Sequence, residues 1–395
     1  MKPKSVIGAD PYILKDPKSG KFFCYATGGD DKAPFLVYQS EDLIHWDFIG
    51  NGLSREKNDW GKGWFWAPEV YYNPNNDHYY MFYSALVRDD LVGKYFGERD
   101  FIECCKIGVA VSKRPEGPFV NIEDHPIDYY PFDPNYRDID RVTKEPFSKD
   151  AAEFDVNALP RGVYIPSIDA DFFIDADQRM YLYYSRCCYR NCLLDRKLGK
   201  YIEESNILGV ELEPDFWFDK AASTQPTIKK DYVGYGEDGR REDKFVQILS
   251  YHQEPQEWEN GHVNDYETSH HEKHNRRWSE GSMTVPYVFE GKKKYLLFYS
   301  CNNYQNALYG VGVAFADVPM EHFKKYGKNP IIHQIPEMPL YSTGHGCVVE
   351  KDGQPYYFFH GRENCSEKRT CYLAKLHIES EDNIYVSDIT HCVAE

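Results

Sequence analysis

The sequence predicts an all-β protein built as a five-bladed β-propeller, and three observations support this prediction. An aromatic strand recurs five times, as "KFFCYAT", "HYYMFYS", "MYLYYSR", "KYLLFYS" and "PYYFFHG". Each copy is followed by a further strand-like run that ends in a polar turn. Few stretches have a helical pattern. Repeated units of three to four strands are typical of a propeller, whose blades are usually four-stranded sheets around a central channel.

Each aromatic strand is preceded by a segment that we expect to be the innermost strand of its blade. These segments read, in chain order, "ADPYI", "WAPEV", "SIDADFFI", "SEGSMTV" and "GHGCVV". Each segment carries a polar or charged side chain near its start, and these residues are Asp10, Glu69, Asp169, Glu280 and His345. The repeat therefore predicts that four acids and one histidine face a common channel.

The repeated units differ in length because insertions separate some of their strands. The largest insertions lie near residues 120–165 and 219–278. We expect the whole chain, residues 1–395, to form one propeller domain with these insertions between its blades. Because they precede Asp169 and Glu280, the insertions are expected to wall the mouth of the channel.

The composition argues against several classes of partner. The 395 residues carry a net charge of -17, which opposes binding to nucleic acid or to an anionic membrane surface. No stretch approaches the ~18 apolar residues of a membrane span. The N-terminus lacks the apolar run of a secretory signal, so we expect a cytoplasmic protein, or a secreted one if a leading segment has been removed. The 11 cysteines then fit free thiols better than a disulfide framework.

Several carboxylates that converge on one pocket indicate glycoside hydrolysis. That reaction needs one carboxylic acid to protonate the leaving oxygen and a second carboxylate to activate water or to attack the sugar. A third acid nearby can raise the pKa of the proton donor by like-charge repulsion. The 33 Tyr, 23 Phe and 7 Trp suit both sheet packing and surfaces that stack on sugar rings.

The chain resembles glycoside hydrolase family 43 at five short motifs. These are "ADPYI" at 9–13, "WAPEV" at 66–70, "IDADFFID" at 168–175, "EGSMTV" at 280–285 and "TGHG" at 343–346. They occur in the family's order, one in each blade. The resemblance implies that Asp10 is the general base, that Glu280 is the general acid, and that Asp169 tunes Glu280 and orients the sugar.

The same resemblance implies a substrate class. We expect an inverting enzyme that releases α-L-arabinofuranosyl or β-D-xylosyl residues from plant-type oligosaccharides or polysaccharides. Arabinofuranosidase activity is slightly favoured, because many β-xylosidases of the family carry an additional C-terminal β-sandwich. A walled channel favours exo-action on a chain end.

Four further residues are candidates for binding the substrate, and three of them have a structural alternative. Trp66 either stacks on a sugar or packs between blades, and Glu69 either lines the pocket or supports its floor. Arg362 reaches the substrate or a carboxylate, or else it forms a salt bridge to a neighbouring blade. Asp171 shares a strand face with the third acid by the two-residue period of a strand, so it is a second candidate pocket acid. Asp175 is predicted to be a turn residue.

His345 is a candidate metal ligand, because family members place a histidine here close to the channel axis and often near a bound cation. We expect either a structural calcium ion at His345 or a histidine that is hydrogen-bonded without metal, and the reaction itself requires no cofactor. The cluster "HHEKHN" at 270–275 lacks partner ligands at zinc-like spacing and is expected to be a solvated loop. The run "CCYRNC" at 187–192 is likewise expected to be structural.

Four alternative functions remain open at this point. The first is an endo-acting arabinanase, and the second is a carbohydrate-binding propeller without catalysis. The third is a scaffold propeller that binds proteins, although such propellers usually display more regular repeats. The fourth is a phosphorylase, which would need a cationic phosphate site, and Arg276 and Arg277 are the candidates for it.

Overall fold

The computed structural model describes residues 4–97, 99, 101–138, 162–186, 191–195, 200–263, 274–335 and 337–395. Strands dominate these residues and form the five blades of a propeller, so the predicted fold is confirmed. No helix in these ranges is both long and apolar enough to cross a bilayer. The eight cysteines whose side chains are described are free thiols, and all of them except Cys365 are buried.

Blades I and II come from the first third of the chain. The strands of blade I are β1 (Lys4–Ser5), β2 (Ala9–Lys15), β3 (Phe22–Asp30), β4 (Ala33–Ser40) and β5 (His45–Asn51). Those of blade II are β6 (Leu53–Ser54), β7 (Gly61–Asn73), β8 (His78–Val87), β9 (Cys105–Ser112) and β10 (Phe119–Asn121). Helix α1 (Asp89–Phe96) connects β8 to β9. In both blades the longer strands run antiparallel from the channel outward.

The middle of the chain forms blade III and two further sheets, of five and two strands. The strands up to blade III are β11 (Phe132–Asp133), β12 (Arg137–Asp138), β13 (Val163–Tyr164), β14 (Ser167–Ile174) and β15 (Met180–Arg186). They are followed by β16 (Asn191–Asp195), β17 (Lys200–Ser205), β18 (Ile207–Leu212), β19 (Val246–Leu249), β20 (Gly261–Val263) and β21 (His274–Trp278). Helix α2 (Asp215–Phe218) and the 3₁₀ turns Lys230–Tyr232 and Glu257–Glu259 lie between these strands.

Blade III itself has the strand order β14-β15-β18-β19, whereas β12, β16, β17, β21 and β20 form a separate five-stranded sheet. The sequence did not predict this separate sheet. Strand β21 ends at Trp278, two residues before Glu280, so the sheet adjoins the start of blade IV.

Blades IV and V complete the ring. Blade IV contains β22 (Glu280–Phe289), β23 (Lys292–Cys301), β24 (Gly310–Ala316) and β25 (Lys324–Lys325). Blade V contains β26 (Tyr341–Lys351), β27 (Gln354–Arg362), β28 (Thr370–Ser380) and β29 (Asn383–His391), and β30 (Val393–Ala394) follows it. Strand β30 inserts between β1 and β5 at the outer edge of blade I, which joins the last blade to the first.

Aromatic side chains pack the core between neighbouring blades. An aromatic pair lies at each of the five blade interfaces, and the pairs are Tyr12–Tyr71, Phe82–Phe172, Phe173–Tyr295, Phe298–Tyr357 and Trp46–Phe358. Their ring centroids are separated by 4.9 Å in the closest pair and 6.2 Å in the widest. Such distances are typical of favourable aromatic contacts, which explains the recurrence of Tyr and Phe in the repeat.

A β-bulge recurs in the innermost strand of every blade. One residue in each bulge has a positive φ, and these residues are Asp10 (50°), Ala67 (47°), Asp169 (54°), Gly281 (58°) and His345 (40°). Bulges re-aim side chains and are common next to active sites. These five residues therefore occupy equivalent positions. Glu280 directly precedes the bulge residue of blade IV, Gly281, whereas Glu69 follows the bulge residue of blade II, Ala67, by two positions.

The backbone N–H of each bulge residue is held by a side chain from the preceding blade. The acceptors are the hydroxyl oxygens of Thr27, Ser84, Ser185 and Ser300 for Ala67, Asp169, Gly281 and His345, and Nδ1 of His360 for Asp10. The five donor–acceptor distances lie between 2.6 and 3.1 Å. A ring of hydrogen bonds thus passes through all five blades and fixes the channel-facing residues relative to one another.

Candidate active site

A cavity of about 130 Å³ lies where the five bulges meet. Its lining residues are Asp10, Trp66, Ile168, Asp169, Glu280, Tyr304, Tyr309, His345 and Arg369. The structure thus brings together all three predicted catalytic acids, the predicted histidine and one of the four predicted substrate-binding residues. Within the described chain, Glu69, Asp171 and Arg362 are not among the lining residues.

Asp10 is buried and has a cationic neighbour. Its Oδ1 lies 3.2 Å from Nη1 of Arg369 and 3.3 Å from Nδ1 of His345. Burial alone would raise the pKa of Asp10, but the charge of Arg369 and the imidazole of His345 outweigh burial and hold it at about 2. Asp10 is therefore an ionised carboxylate at neutral pH.

Glu280 lines the same cavity, but its pKa is raised, whereas the pKa of Asp10 is lowered. Burial raises its pKa, and repulsion by Asp169 raises it further, to about 8. A hydrogen bond of 2.8 Å from the hydroxyl of Tyr309 to Oε1 partly offsets this rise. Glu280 therefore carries its proton at neutral pH, as a proton donor must.

Asp169 lies beside the start of blade IV. Its Oδ2 accepts the backbone N–H of Gly281 at 3.2 Å, and Ser185 also stabilises the carboxylate. Burial nevertheless raises the pKa of Asp169 above its ordinary value. Because Gly281 follows Glu280 directly, this hydrogen bond holds the third acid next to the proton donor.

Glu69 and Asp171 are buried and are not among the residues that line the cavity. Glu69 accepts a hydrogen bond from Tyr71, and Oδ2 of Asp171 accepts one from Thr284 at 2.7 Å. Burial raises the pKa of Glu69 well above its usual value, and it raises the pKa of Asp171 to about 6. The bulge interrupts the two-residue period of β14, which is why Asp171 does not share the face of the third acid. Of the two predicted roles for Glu69, lining the cavity is not seen, and support of the cavity floor stays a prediction.

Arg369 makes the contact with a carboxylate of the cavity that we predicted for Arg362. Arg362 donates from Nη1 to the carbonyl oxygen of Cys365 at 2.8 Å and does not line the cavity. Arg369 directly precedes β28 and reaches the carboxylate of Asp10. No repeated motif marked Arg369, because it lies in a connection between strands, where the spacing of the repeat carries no information.

Two tyrosines were also missed by the sequence interpretation. Tyr304 and Tyr309 line the cavity from the connection between β23 and β24. The only signal in the sequence is the asparagine-rich run "CNNYQNALYG" at 301–310. Its asparagines make local turn contacts, such as the hydrogen bond from the backbone of Gln305 to Oδ1 of Asn303 at 3.0 Å. Those contacts give the connection a defined shape.

Trp66 lines the cavity, and its ring is stacked on that of Trp64. The two centroids are 4.9 Å apart and the planes differ by 15°. The pair forms a half-buried aromatic surface beside the acids. Asp175 lies in the turn after β14, as predicted, and its carboxylate accepts the hydroxyl of Tyr295 at 2.7 Å. This contact links blade III to blade IV.

His345, the candidate calcium ligand, faces the carboxylate of Asp10. Calcium prefers six to eight oxygen ligands, whereas His345 directs Nδ1 toward a carboxylate that is already bound by Arg369. In the described part of the chain, the group of three side chains with close ligand atoms is Glu123, Asp124 and His125, not a set around His345. The described side chains therefore gather no oxygen-rich set at His345, calcium there stays a prediction, and no chemical step is assigned to a metal.

Arg277 is the one remaining sequence candidate whose side chain the structure describes. Arg277 is buried with its guanidinium 4.1 Å from the ring of Tyr251, and it does not line the cavity. Most of "HHEKHN" at 270–275 and of "CCYRNC" at 187–192 lies outside the described residues.

Comparisons with known proteins agree with this geometry. The sequence profile of Glycosyl hydrolases family 43 matches residues 4–141. A stretch of 90 residues is 34% identical to a probable arabinan endo-1,5-alpha-L-arabinosidase C of Aspergillus terreus, and it covers 21% of this chain and 27% of that protein. The chain thus matches about a quarter of the length of this curated relative.

Solved structures extend the similarity to the whole chain. A thermostable family-43 glycoside hydrolase is 26% identical over 98% of this chain and 94% of its own, with a TM-score of 0.64. An endo-1,4-beta-xylanase of Bacteroides thetaiotaomicron is 25% identical over 100% of this chain and 99% of its own, with a TM-score of 0.63. Together with the propeller and its cavity of acids, these matches make the chain similar to glycoside hydrolase family 43, by sequence over residues 4–141 and by fold over nearly its whole length.

Proposed function

We propose that this chain is an inverting glycosidase that releases α-L-arabinofuranosyl or β-D-xylosyl residues from plant-type oligosaccharides or polysaccharides. The observation that carries the proposal is the pair Asp10 and Glu280, which line one cavity with pKa values of about 2 and about 8. Two carboxyl groups with opposite protonation states at neutral pH are what acid–base hydrolysis of a glycoside requires.

The proposed reaction uses Asp10 as the base and Glu280 as the acid. Asp10 takes a proton from a water molecule, whose oxygen forms a bond to the anomeric carbon. The bond from that carbon to the glycosidic oxygen breaks, its electron pair stays on that oxygen, and Glu280 supplies the proton. Arg369 keeps Asp10 ionised before the reaction, and Asp169 keeps Glu280 protonated.

Exo-action is the favoured mode, because extra structure precedes the strand that carries the proposed acid. The separate five-stranded sheet contains β21, which leads directly into Glu280. Trp64 and Trp66 then offer one aromatic surface beside the acids for a sugar ring. A wall formed by this sheet at the mouth of the cavity would favour binding of a chain end.

Endo-action is the second candidate, and the names of two relatives favour it. One solved structure that is similar over 99% of its own length is an endo-1,4-beta-xylanase, and a curated relative is a probable arabinan endo-1,5-alpha-L-arabinosidase C. An endo-acting enzyme would cleave within the chain and would release oligosaccharides first.

A panel of substrates with product analysis tests these proposals. Nitrophenyl α-L-arabinofuranoside, nitrophenyl β-D-xyloside, arabino-oligosaccharides and xylo-oligosaccharides are incubated with the full-length protein. We expect free pentose as the first product from one of the two sugar series. Oligosaccharides as first products would support endo-action, and no cleavage of any substrate would support the carbohydrate-binding alternative.

A further inference from the structure

The hydroxyl of Tyr309 forms a direct contact with the proposed acid. Tyr309 is buried, and its hydroxyl lies 2.8 Å from Oε1 of Glu280. Tyr309 directly precedes β24, so it belongs to the same blade as Glu280 but not to the same strand. A phenol in this position donates its proton to the carboxyl oxygen and fixes the orientation of the group.

The ring of Tyr309 is held on two sides by blade V. A side chain at Gly344 would collide with the ring, so the "TGHG" motif needs glycine there to admit Tyr309. The hydroxyl of Thr343 donates to the backbone oxygen of Tyr309 at 3.1 Å. On its other side, the phenol ring lies nearly parallel to the imidazole of His360, at an interplanar angle of 15° and a centroid distance of 6.0 Å.

His360 extends this contact to the proposed base. Its Nδ1 accepts the backbone N–H of Asp10 at 3.1 Å, and it therefore carries no proton at that atom. Burial holds the pKa of His360 well below its ordinary value, which is consistent with a neutral ring. The stacked pair Tyr309 and His360 thus lies between Glu280 and the backbone of Asp10.

We propose that Tyr309 is a positioning residue that holds the carboxyl group of Glu280 for proton transfer and stabilises the carboxylate that the transfer leaves behind. The inference deepens the proposed function and rests on Glu280 as its acid. A hydrogen bond from a neutral donor to an ionised acceptor is stronger than one between neutral groups. The contact therefore strengthens as Glu280 loses its proton, and Tyr309 itself loses none.

Tyr309→Phe removes this hydrogen bond and keeps the stacked ring. We expect kcat to fall roughly 10- to 100-fold on an oligosaccharide, with KM changed by less than about twofold, because a hydrogen bond to a charged group is lost. The loss should be smaller on a nitrophenyl glycoside, whose leaving group needs little protonation. An equal loss on both substrates, or none on either, would overturn the proposal.

The pH profile separates positioning from a structural role. The groups that face Glu280 are Asp10, Asp169, His345, Arg369 and Tyr309. The hydroxyl of Tyr309 is the hydrogen-bond donor that favours the ionised form of Glu280. Tyr309→Phe removes this donor and should raise the pKa of Glu280, so the alkaline limb of kcat/KM should move up by about one pH unit. A limb that stays in place would contradict the assignment.

Tyr299→Phe is the matched control. Its hydroxyl donates to Oε1 of Glu259 at 2.7 Å, in the same blade but outside the cavity. This variant loses a buried tyrosine–carboxylate hydrogen bond of the same kind, so it reports the effect on folding alone. We expect a lower melting temperature with an unchanged alkaline limb.

A titration that does not use activity distinguishes this inference from the proposed function. NMR of protein with ¹³C-labelled glutamate carboxyl groups follows Glu280 directly, with Glu280→Gln used to assign its signal. If Tyr309→Phe raises the pKa of Glu280 in a protein that cleaves no glycoside, the contact is upheld and the proposed function fails. If the enzyme is active and the pKa does not move, the inference fails and the proposed function remains.

Discussion

Two carboxyl groups decide the chemistry at the scale of single residues. Asp10 is ionised because Arg369 lies beside it, and Glu280 is protonated because it is partly buried next to Asp169. Asp10→Asn should remove water activation, and Glu280→Gln should remove leaving-group protonation, each at a cost of roughly two to four decades in kcat. The Glu280 defect should be milder on nitrophenyl glycosides. Steady-state kinetics on both substrate types check this.

The variants must remain folded for that comparison to hold. Circular dichroism and a thermal melt provide the control for each protein. Loss of a general base typically lowers kcat by about two to four decades. If Asp10→Asn retained more than about a tenth of the wild-type kcat, Asp10 could not be the base.

The pH dependence of kcat/KM follows from the same two groups. Activity requires Asp10 without its proton and Glu280 with it, so the profile should fall on the alkaline side near pH 8. On the acid side, the limb of the wild type should lie below the ordinary pKa of an aspartate, because the pKa of Asp10 is about 2.

Arg369→Met removes the nearest cation, so the pKa of Asp10 should rise and the acid limb of kcat/KM should move toward neutral pH. An acid limb that stays in place would show that Arg369 does not control Asp10.

The sequence identified the acids of the cavity but not their surroundings. Asp10, Asp169 and His345 could be found because each occupies the bulge of its blade, and the repeat marks that position. Glu69 was aligned with them incorrectly, because the alignment used the polar residue of each segment, whereas the bulge residue of this blade is the apolar Ala67. Arg369 lies in a connection, where no periodicity applies.

At the scale of the strands, the ring of bulge hydrogen bonds explains how five separate blades present their side chains together. Ser300 in β23 accepts the backbone N–H of His345 at 2.6 Å and is fully buried. Ser300→Ala leaves that N–H without its acceptor, which should cost about 1–3 kcal/mol of the free energy of unfolding. Denaturant unfolding measures this difference.

Ser223→Ala is the control for that experiment. Ser223 is exposed and lies outside the ring, so its replacement should change the free energy of unfolding by less than about 0.5 kcal/mol. Equal effects of the two substitutions would show that the ring contributes nothing specific to stability.

The separate five-stranded sheet could not have been predicted from the sequence. Its strands come from segments that are far apart in the chain, and β17 pairs in parallel with β21. Two of its strands, β12 and β20, have two and three residues. Periodicity needs four or more residues to be recognised, whereas the blades were found because their aromatic strands repeat.

At the scale of the whole molecule, the propeller places residues from all five blades at one cavity. The described residues give no oxygen-rich set at His345, so we expect no requirement for a metal. Protein that has been freed of metal by a chelator should keep its activity and its melting temperature. A loss that calcium alone restores would show that a cation contributes at His345 after all.

The most direct test of the central account is the anomeric form of the first sugar released. An inverting enzyme admits water between its base and the anomeric carbon, so its carboxyl groups stand about 6.5–9.5 Å apart, against about 5–5.5 Å in a retaining enzyme. Proton NMR of the reaction at early times, before mutarotation, records the product. With Asp10 as base and Glu280 as acid, the account predicts the anomer opposite to that of the substrate. A retained anomer would contradict it, because Asp10 would then be a nucleophile or the pair would be wrongly assigned.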